Sequence, residues 1–76
     1  MQLTVRKVNV NKIKRMRKQE HITLEEMAKR LGYSSPNGYY YLERGRSKFT
    51  AETLAAVADI LDIPIEDLFF ESARSL

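Results

Sequence analysis

The chain has no cysteine, no tryptophan and a single histidine among its 76 residues. Without thiols there is no disulfide framework and no Cys-based metal site, and nothing argues for an oxidising compartment. His21 alone cannot assemble a zinc site, and no nucleophile constellation accompanies it. Its place near a helix end, where a cation complements the dipole, gives it a structural or inert role. Long apolar runs are missing too: none approaches the roughly 18 residues that suggest a membrane span, and the N-terminus lacks a signal-peptide stretch. The expectation is a soluble, cytoplasmic protein with no membrane partner. There is no internal repeat, linker or low-complexity segment. A chain of this length makes one domain, which buries only about 60% of its unfolded surface. That is enough for a five-helix core and leaves little room for a deep substrate cavity, so no enzyme, cofactor or small-molecule ligand is expected.

What charge there is lies unevenly. Residues 1–48 hold twelve Lys/Arg against four Asp/Glu, and residues 49–76 hold one against six, so local balances of +8 and −5 make up the total of +3. Such segregation suits a polyanion on one side of the molecule. The plainer alternative is a solvated basic face with no partner.

The basic half contains the stretch that organises the rest, Thr23 to Gly45. Thr23 is a helix N-cap and Glu26 completes a capping box, after which Leu24, Met27, Ala28 and Leu31 recur at helical spacing. Gly32 supplies a left-handed stop. Ser35 as N-cap and Pro36 at the first helical position then announce a second helix. On a helical wheel Leu42 and Glu43 lie within about 60° of Tyr39, while Asn37, Tyr41 and Arg44 cluster on the far side. One face packs and the other offers hydrogen-bonding groups.

At these residues the sequence resembles the Cro/cI-like (XRE) helix-turn-helix repressors, over about Ile13 to Phe69. The matching elements are Arg17 in the first helix, Thr23 opening the second, Ala28 inside it, Gly32 at the turn, Glu43-x-Gly45, and a later pattern of Thr53, Leu54, Ala58, Leu61, Leu68 and Phe69. Three positions differ: Leu24 stands where the family usually has a phosphate-contacting Gln, the turn between Gly32 and Glu43 is one residue longer, and Phe49 replaces a frequent Pro. The resemblance implies an all-α, compact five-helix lambda-repressor-like fold with its third helix in the major groove and the preceding helix crossing the backbone. It also implies a salt bridge between Arg17 and Glu43, both of which helical spacing independently turns inward.

Elsewhere the chain is read segment by segment. MQLTVRKV alternates apolar and polar residues, a strand signal with no evident partner in a helical domain. It is either a disordered basic arm with Arg6 and Lys7 or a strand that pairs with a second subunit. Asn9 or Asn11 caps a first helix over roughly 11–20, with Ile13, Met16 and Arg17 on one side. Gly38 and three successive tyrosines are poor helix formers, so packing of Tyr39 and Leu42 must compensate, and Gly38 could admit a phosphate close to the backbone. Tyr41 faces outward and is assigned to DNA, whereas Tyr40 suits partial burial or contact equally. In the next loop Gly45 is a left-handed terminator, and Arg44, Arg46 and Lys48 can meet phosphate. Thr50 caps a helix whose stripe of Leu54, Val57, Ala58 and Leu61 is core. Pro64 begins a last short helix, IEDLFF, whose Leu68, Phe69 and Phe70 cannot all point inward. The domain assignment is an N-terminal arm or strand (1–10), a DNA-binding unit (11–71) and a frayed tail (72–76).

The expected function is a dimeric, sequence-specific binder of double-stranded DNA, a transcriptional repressor. Ser35, Pro36, Asn37 and Tyr41 would meet base edges, with Tyr40, Arg44, Arg46 and Lys48 completing the DNA-binding set. Candidate dimer surfaces are the Leu3/Val5 strand and the Leu68 to Phe70 helix. An alternative from another class is a protein-interaction module of the same fold, such as an antitoxin or accessory regulator, which predicts weak, non-selective DNA binding. RNA binding through stacked tyrosines is a third, separated by competition between duplex DNA and single-stranded RNA.

Overall fold

The computed structural model describes residues 7–70. Four α-helices follow one another, α1 (Val10–Gln19), α2 (Leu24–Arg30), α3 (Pro36–Glu43) and α4 (Ala51–Leu61), and a single 3-10 turn over Ile65–Leu68 closes the described chain. Each of the five elements contributes one fully buried side chain to the centre: Ile13, Met27, Tyr39, Val57 and Leu68. None of the helices is long enough to be stable alone, so this shared core is what holds them.

The helix starts use short polar side chains. The Asn9 carboxamide oxygen accepts the Lys12 N–H at 3.1 Å, which settles the choice of cap for α1. At α2 the capping box is complete: Thr23 Oγ1 accepts the Glu26 N–H at 3.0 Å and Glu26 Oε1 accepts the Thr23 N–H at 3.2 Å. Thr50 caps α4 by accepting the Thr53 N–H at 3.1 Å. Ser35 occupies the cap position of α3 without a side-chain hydrogen bond, and Pro36 behind it supplies the start.

All four α-helices end in the same way, with a residue in the left-handed region and paired backward hydrogen bonds. At Gly32 (φ 86°) its own N–H reaches Lys29 O and the Tyr33 N–H reaches Ala28 O, and at Gly45 (φ 76°) the corresponding bonds reach Leu42 O and Tyr41 O. His21 (φ 59°) and Asp62 (φ 58°) close α1 and α4 with the same pattern. Sequence pattern found only the glycines, because His and Asp enter this region less often than Gly and carry no comparable signal.

Two expectations change. The last helix is not a fifth α-helix through Phe70 but a one-turn 3-10 element ending at Leu68, after which Phe69 is extended. Leu68 is fully buried, Phe69 is half-buried against the core and Phe70 is 51% exposed, so the three neighbours do diverge. The described residues 7–9, where the N-terminal segment ends, also have a partner within the chain. Val8 forms an isolated antiparallel bridge with Phe69, flanked by Asn9 N–H to Leu68 O at 2.7 Å and Phe70 N–H to Lys7 O at 2.9 Å. The strand residues Leu3 and Val5, Arg6, and the tail 72–76 lie outside the described residues.

Gly38 has a structural reason different from phosphate approach. The Tyr33 ring lies across it, so that a Cβ there would meet Tyr33 Cδ1 at 2.8 Å. A glycine in mid-helix costs about 1 kcal/mol relative to Ala, but overpacking costs about 1–3 kcal/mol. Gly38→Ala alone is therefore expected to be neutral or destabilising by up to about 2 kcal/mol in urea unfolding. In a Tyr33→Ala background the same change should instead stabilise by about 1 kcal/mol. Equal effects in both backgrounds would show that the ring is not the constraint.

Candidate nucleic-acid interface

Helix α3 is held from behind by a buried polar cluster. Arg17 Nε donates to Glu43 Oε2 at 2.7 Å and Nη2 to Oε1 at 3.2 Å, a two-pronged ion pair between α1 and the last residue of α3. The two side chains are only 6% and 4% exposed. The remaining guanidinium nitrogen, Nη1, donates to Ile22 O at 2.6 Å, where the chain turns from α1 into α2. One turn earlier on α3, the Tyr39 hydroxyl donates to the same Glu43 oxygen at 2.5 Å. Burial first, and then this hydrogen bond to a carboxylate, raises the Tyr39 pKa well above the ordinary 10.0. Each of the three guanidinium nitrogens, and the phenol, has an acceptor, which favours a charge pair inside a small domain.

With Tyr39 and Leu42 buried and Glu43 engaged, the opposite face of α3 is left to solvent. Ser35, Pro36 and Asn37 are exposed at its start, and Tyr41 is 42% exposed one turn beyond Asn37. Arg44, Arg46 and Lys48 are exposed in the following loop. Tyr40 sits on the flank, half-buried. Apart from Tyr40, the sequence-selected residues are thus exposed along α3 and the loop after it, and four of them are in contact. Arg44 Nη1 donates to the Tyr40 hydroxyl at 2.7 Å with its guanidinium carbon 5.4 Å from that ring's centre. The Arg46 guanidinium carbon lies 5.8 Å from the centre of the Tyr41 ring. The two rings are themselves 6.0 Å apart and tilted by 49°. Arg44, Tyr40, Tyr41 and Arg46 thus form a row of cation, ring, ring and cation along the end of the helix.

Two residues of consequence escaped sequence reasoning. Tyr33 holds the start of α3 through Gly38, and only the missing Cβ at position 38 hints at it. Glu25 joins Glu26, Lys29, Ser35 and Pro36 around an open groove between α2 and the start of α3. An acidic pair there opposes phosphate, whereas the loop after α3 attracts it. Leu24, in the place of the family's usual Gln, packs half-buried against the core and has no polar group to offer.

Residues 13–68 match the helix-turn-helix family, so the chain belongs to that family, in its Cro/cI (XRE) type. It is accordingly a domain of the kind found in DNA-binding transcription regulators. Among curated proteins none matches the chain. No helix among the described residues is long and apolar enough to cross a membrane, and no group of acidic, His or Cys side chains among them could hold a metal ion.

The cluster makes two measurable demands. Glu43→Gln leaves Arg17 buried without a counter-charge and should cost about 3–5 kcal/mol, read as a lowered melting temperature at fixed salt. Tyr39→Phe should cost about 1.5–3 kcal/mol near pH 8, the value of a hydrogen bond to a charged acceptor. Because the fold raises the phenol's pKa, the folded chain keeps a proton that the unfolded chain releases above about pH 10. The parent's advantage over Tyr39→Phe is thus complete below pH 10 and shrinks as pH rises past it. Urea unfolding of both proteins from pH 8 to 11 checks the sign, and a constant gap would contradict the assignment.

Proposed function

We propose that the chain is a sequence-specific transcriptional repressor that binds double-stranded DNA as a homodimer through a unit spanning residues 11–71. Helix α3 enters the major groove and α2 crosses the backbone. The observation that carries this reading is the exposed side of α3, where Asn37 and Tyr41 stand one turn apart while Tyr39 and Leu42 are buried behind them.

Affinity and selectivity then come from different groups. Arg44, Arg46 and Lys48 neutralise phosphates and release counterions. Asn37 reads adenine through N6 and N7, Tyr41 packs against a thymine methyl, and Ser35 with the Pro36 ring borders the same bases. Two copies would set their third helices about 34 Å apart, one DNA turn. The pairing of Lys7–Asn9 with Leu68–Phe70 supports a single dimer surface that combines the two ends, with the exposed Phe70 as its apolar element.

Selection of bound duplexes from a random pool tests the reading directly. An enriched motif with twofold symmetry is expected, and absence of enrichment would favour the protein-interaction alternative. Mutation separates the two kinds of contact. Arg46→Ala or Lys48→Ala should weaken all duplexes alike and flatten the log K against log salt slope by about 0.9. Asn37→Ala should leave the slope unchanged, cost about 1–3 kcal/mol on the selected site and barely alter binding to random duplex. Equal losses on both duplexes, with a lowered melting temperature, would remove Asn37 from the reading set.

A further inference from the structure

We infer that Tyr40 and Arg44 act as one two-point receptor for a single backbone phosphate of duplex DNA, with Tyr40 as both a phosphate donor and the group that positions Arg44. The inference rests on the DNA-binding reading above and assigns a role to the tyrosine that helical spacing left undecided. Its starting point is the direction of one hydrogen bond. Arg44 donates to the Tyr40 hydroxyl at 2.7 Å, so the phenol oxygen is the acceptor. A phenol has one hydrogen to donate as well, and among the described residues the Tyr40 hydroxyl donates to nothing. Accepting from a cation also polarises that hydrogen and makes it the better donor to an anion. Arg44 keeps four further N–H groups, because a guanidinium carries five.

Tyrosine and arginine are thus already in contact and both still have donors to give, at the rim of an exposed helix end. Neither is committed to the core: Arg44 is exposed and Tyr40 is half-buried. Four residues apart, they are neighbours on the helix surface, Tyr40 on the flank between the exposed and the packed faces of α3 and Arg44 beside it on the outward side. A side chain on the flank of a helix lying in a groove is nearer the sugar-phosphate wall than the base edges. The neighbouring pair is built differently. Arg46 lies over the Tyr41 ring at 5.8 Å without a hydrogen bond to its hydroxyl. Holding Arg44 in advance also removes part of the side-chain entropy that a free arginine loses on meeting a phosphate.

The test compares the parent, Tyr40→Phe, Arg44→Ala and the double variant, on the selected duplex and on random duplex, across a salt series. Tyr40→Phe should weaken both duplexes by the same factor, roughly tenfold, as expected for one lost hydrogen bond to a charged acceptor. Its salt slope should match the parent's, since no cation has been removed. Arg44→Ala should lower the slope by about 0.9. The double variant should bind little worse than Arg44→Ala alone, because the two groups serve one phosphate. Thermal unfolding of Tyr40→Phe should match the parent, as the hydroxyl's partner is a single exposed side chain.

Parent-like binding by Tyr40→Phe overturns the inference while leaving the DNA-binding reading intact. So do independent, multiplying losses in the double variant, or a loss that follows a lowered melting temperature. If the parent binds single-stranded RNA in preference to any duplex, or binds no duplex at all, the function reading fails and the phosphate receptor falls with it.

Discussion

The pairing of Arg17 with Glu43 is the contact on which the placement of α3 and its exposed face depends. A buried charge is expensive in a domain this small, and its cost is met only while every donor keeps its acceptor. Here the acceptors come from separate places in the chain: the carboxylate at the end of α3 and the Ile22 carbonyl at the turn into α2. Arg17 therefore cannot be satisfied unless α1, the turn after it and α3 are all in position together. Apolar packing alone would tolerate some sliding of α3, since hydrophobic contact has no preferred direction. A two-pronged ion pair does not, because the planar guanidinium matches the carboxylate in few orientations.

The two ends of α3 are constrained by different chemistry. At the C-terminal end the constraint is polar, with Tyr39 and Arg17 both bonded to Glu43. At the N-terminal end it is steric, with the Tyr33 ring filling the space that a side chain at position 38 would occupy. Intrinsic propensity would not form this helix, since Gly38 and three tyrosines are weak formers. The helix is imposed by its surroundings, and the same surroundings turn Asn37 and Tyr41 outward. That division explains why three adjacent aromatic residues have three fates: Tyr39 is buried, Tyr40 is half-buried on the flank and Tyr41 is exposed.

Much of this was legible from spacing. The capping box at Thr23 and Glu26, the cap at Thr50, the stops at Gly32 and Gly45 and the stripe of α4 each depend on interactions within a few residues, which pattern reads well. What pattern missed was long-range or lacked a distinctive residue. The left-handed His21 and Asp62 use residue types that occur everywhere, so their positions do not mark the turn. The bridge between Val8 and Phe69 joins opposite ends of the described chain, and it decides where the last helix stops. IEDLFF could have continued as a helix on local grounds; the pairing of Phe70 with Lys7 draws it into extended backbone instead. In the candidate interface, the wheel separated inward from outward residues but could not tell a free arginine from one already bonded to a tyrosine.

The end of α3 ties the outward-facing residues of the helix to the charged loop. In the helix stop at Gly45, the Arg46 N–H donates to Tyr41 O at 3.0 Å and the Ser47 N–H reaches the same oxygen at 3.3 Å. The first residues of the basic loop are therefore bonded to the backbone of an outward-facing residue of the helix, and the Arg46 side chain turns back over that residue's ring. Loops of this kind usually move independently of the elements they join. This one begins as an extension of α3, so the Arg46 cation and the outward-facing Tyr41 side chain keep their spacing. Since Glu43 fixes the helix and Gly45 fixes the loop to the helix, the ion pair on the buried side governs the register of charges on the exposed side.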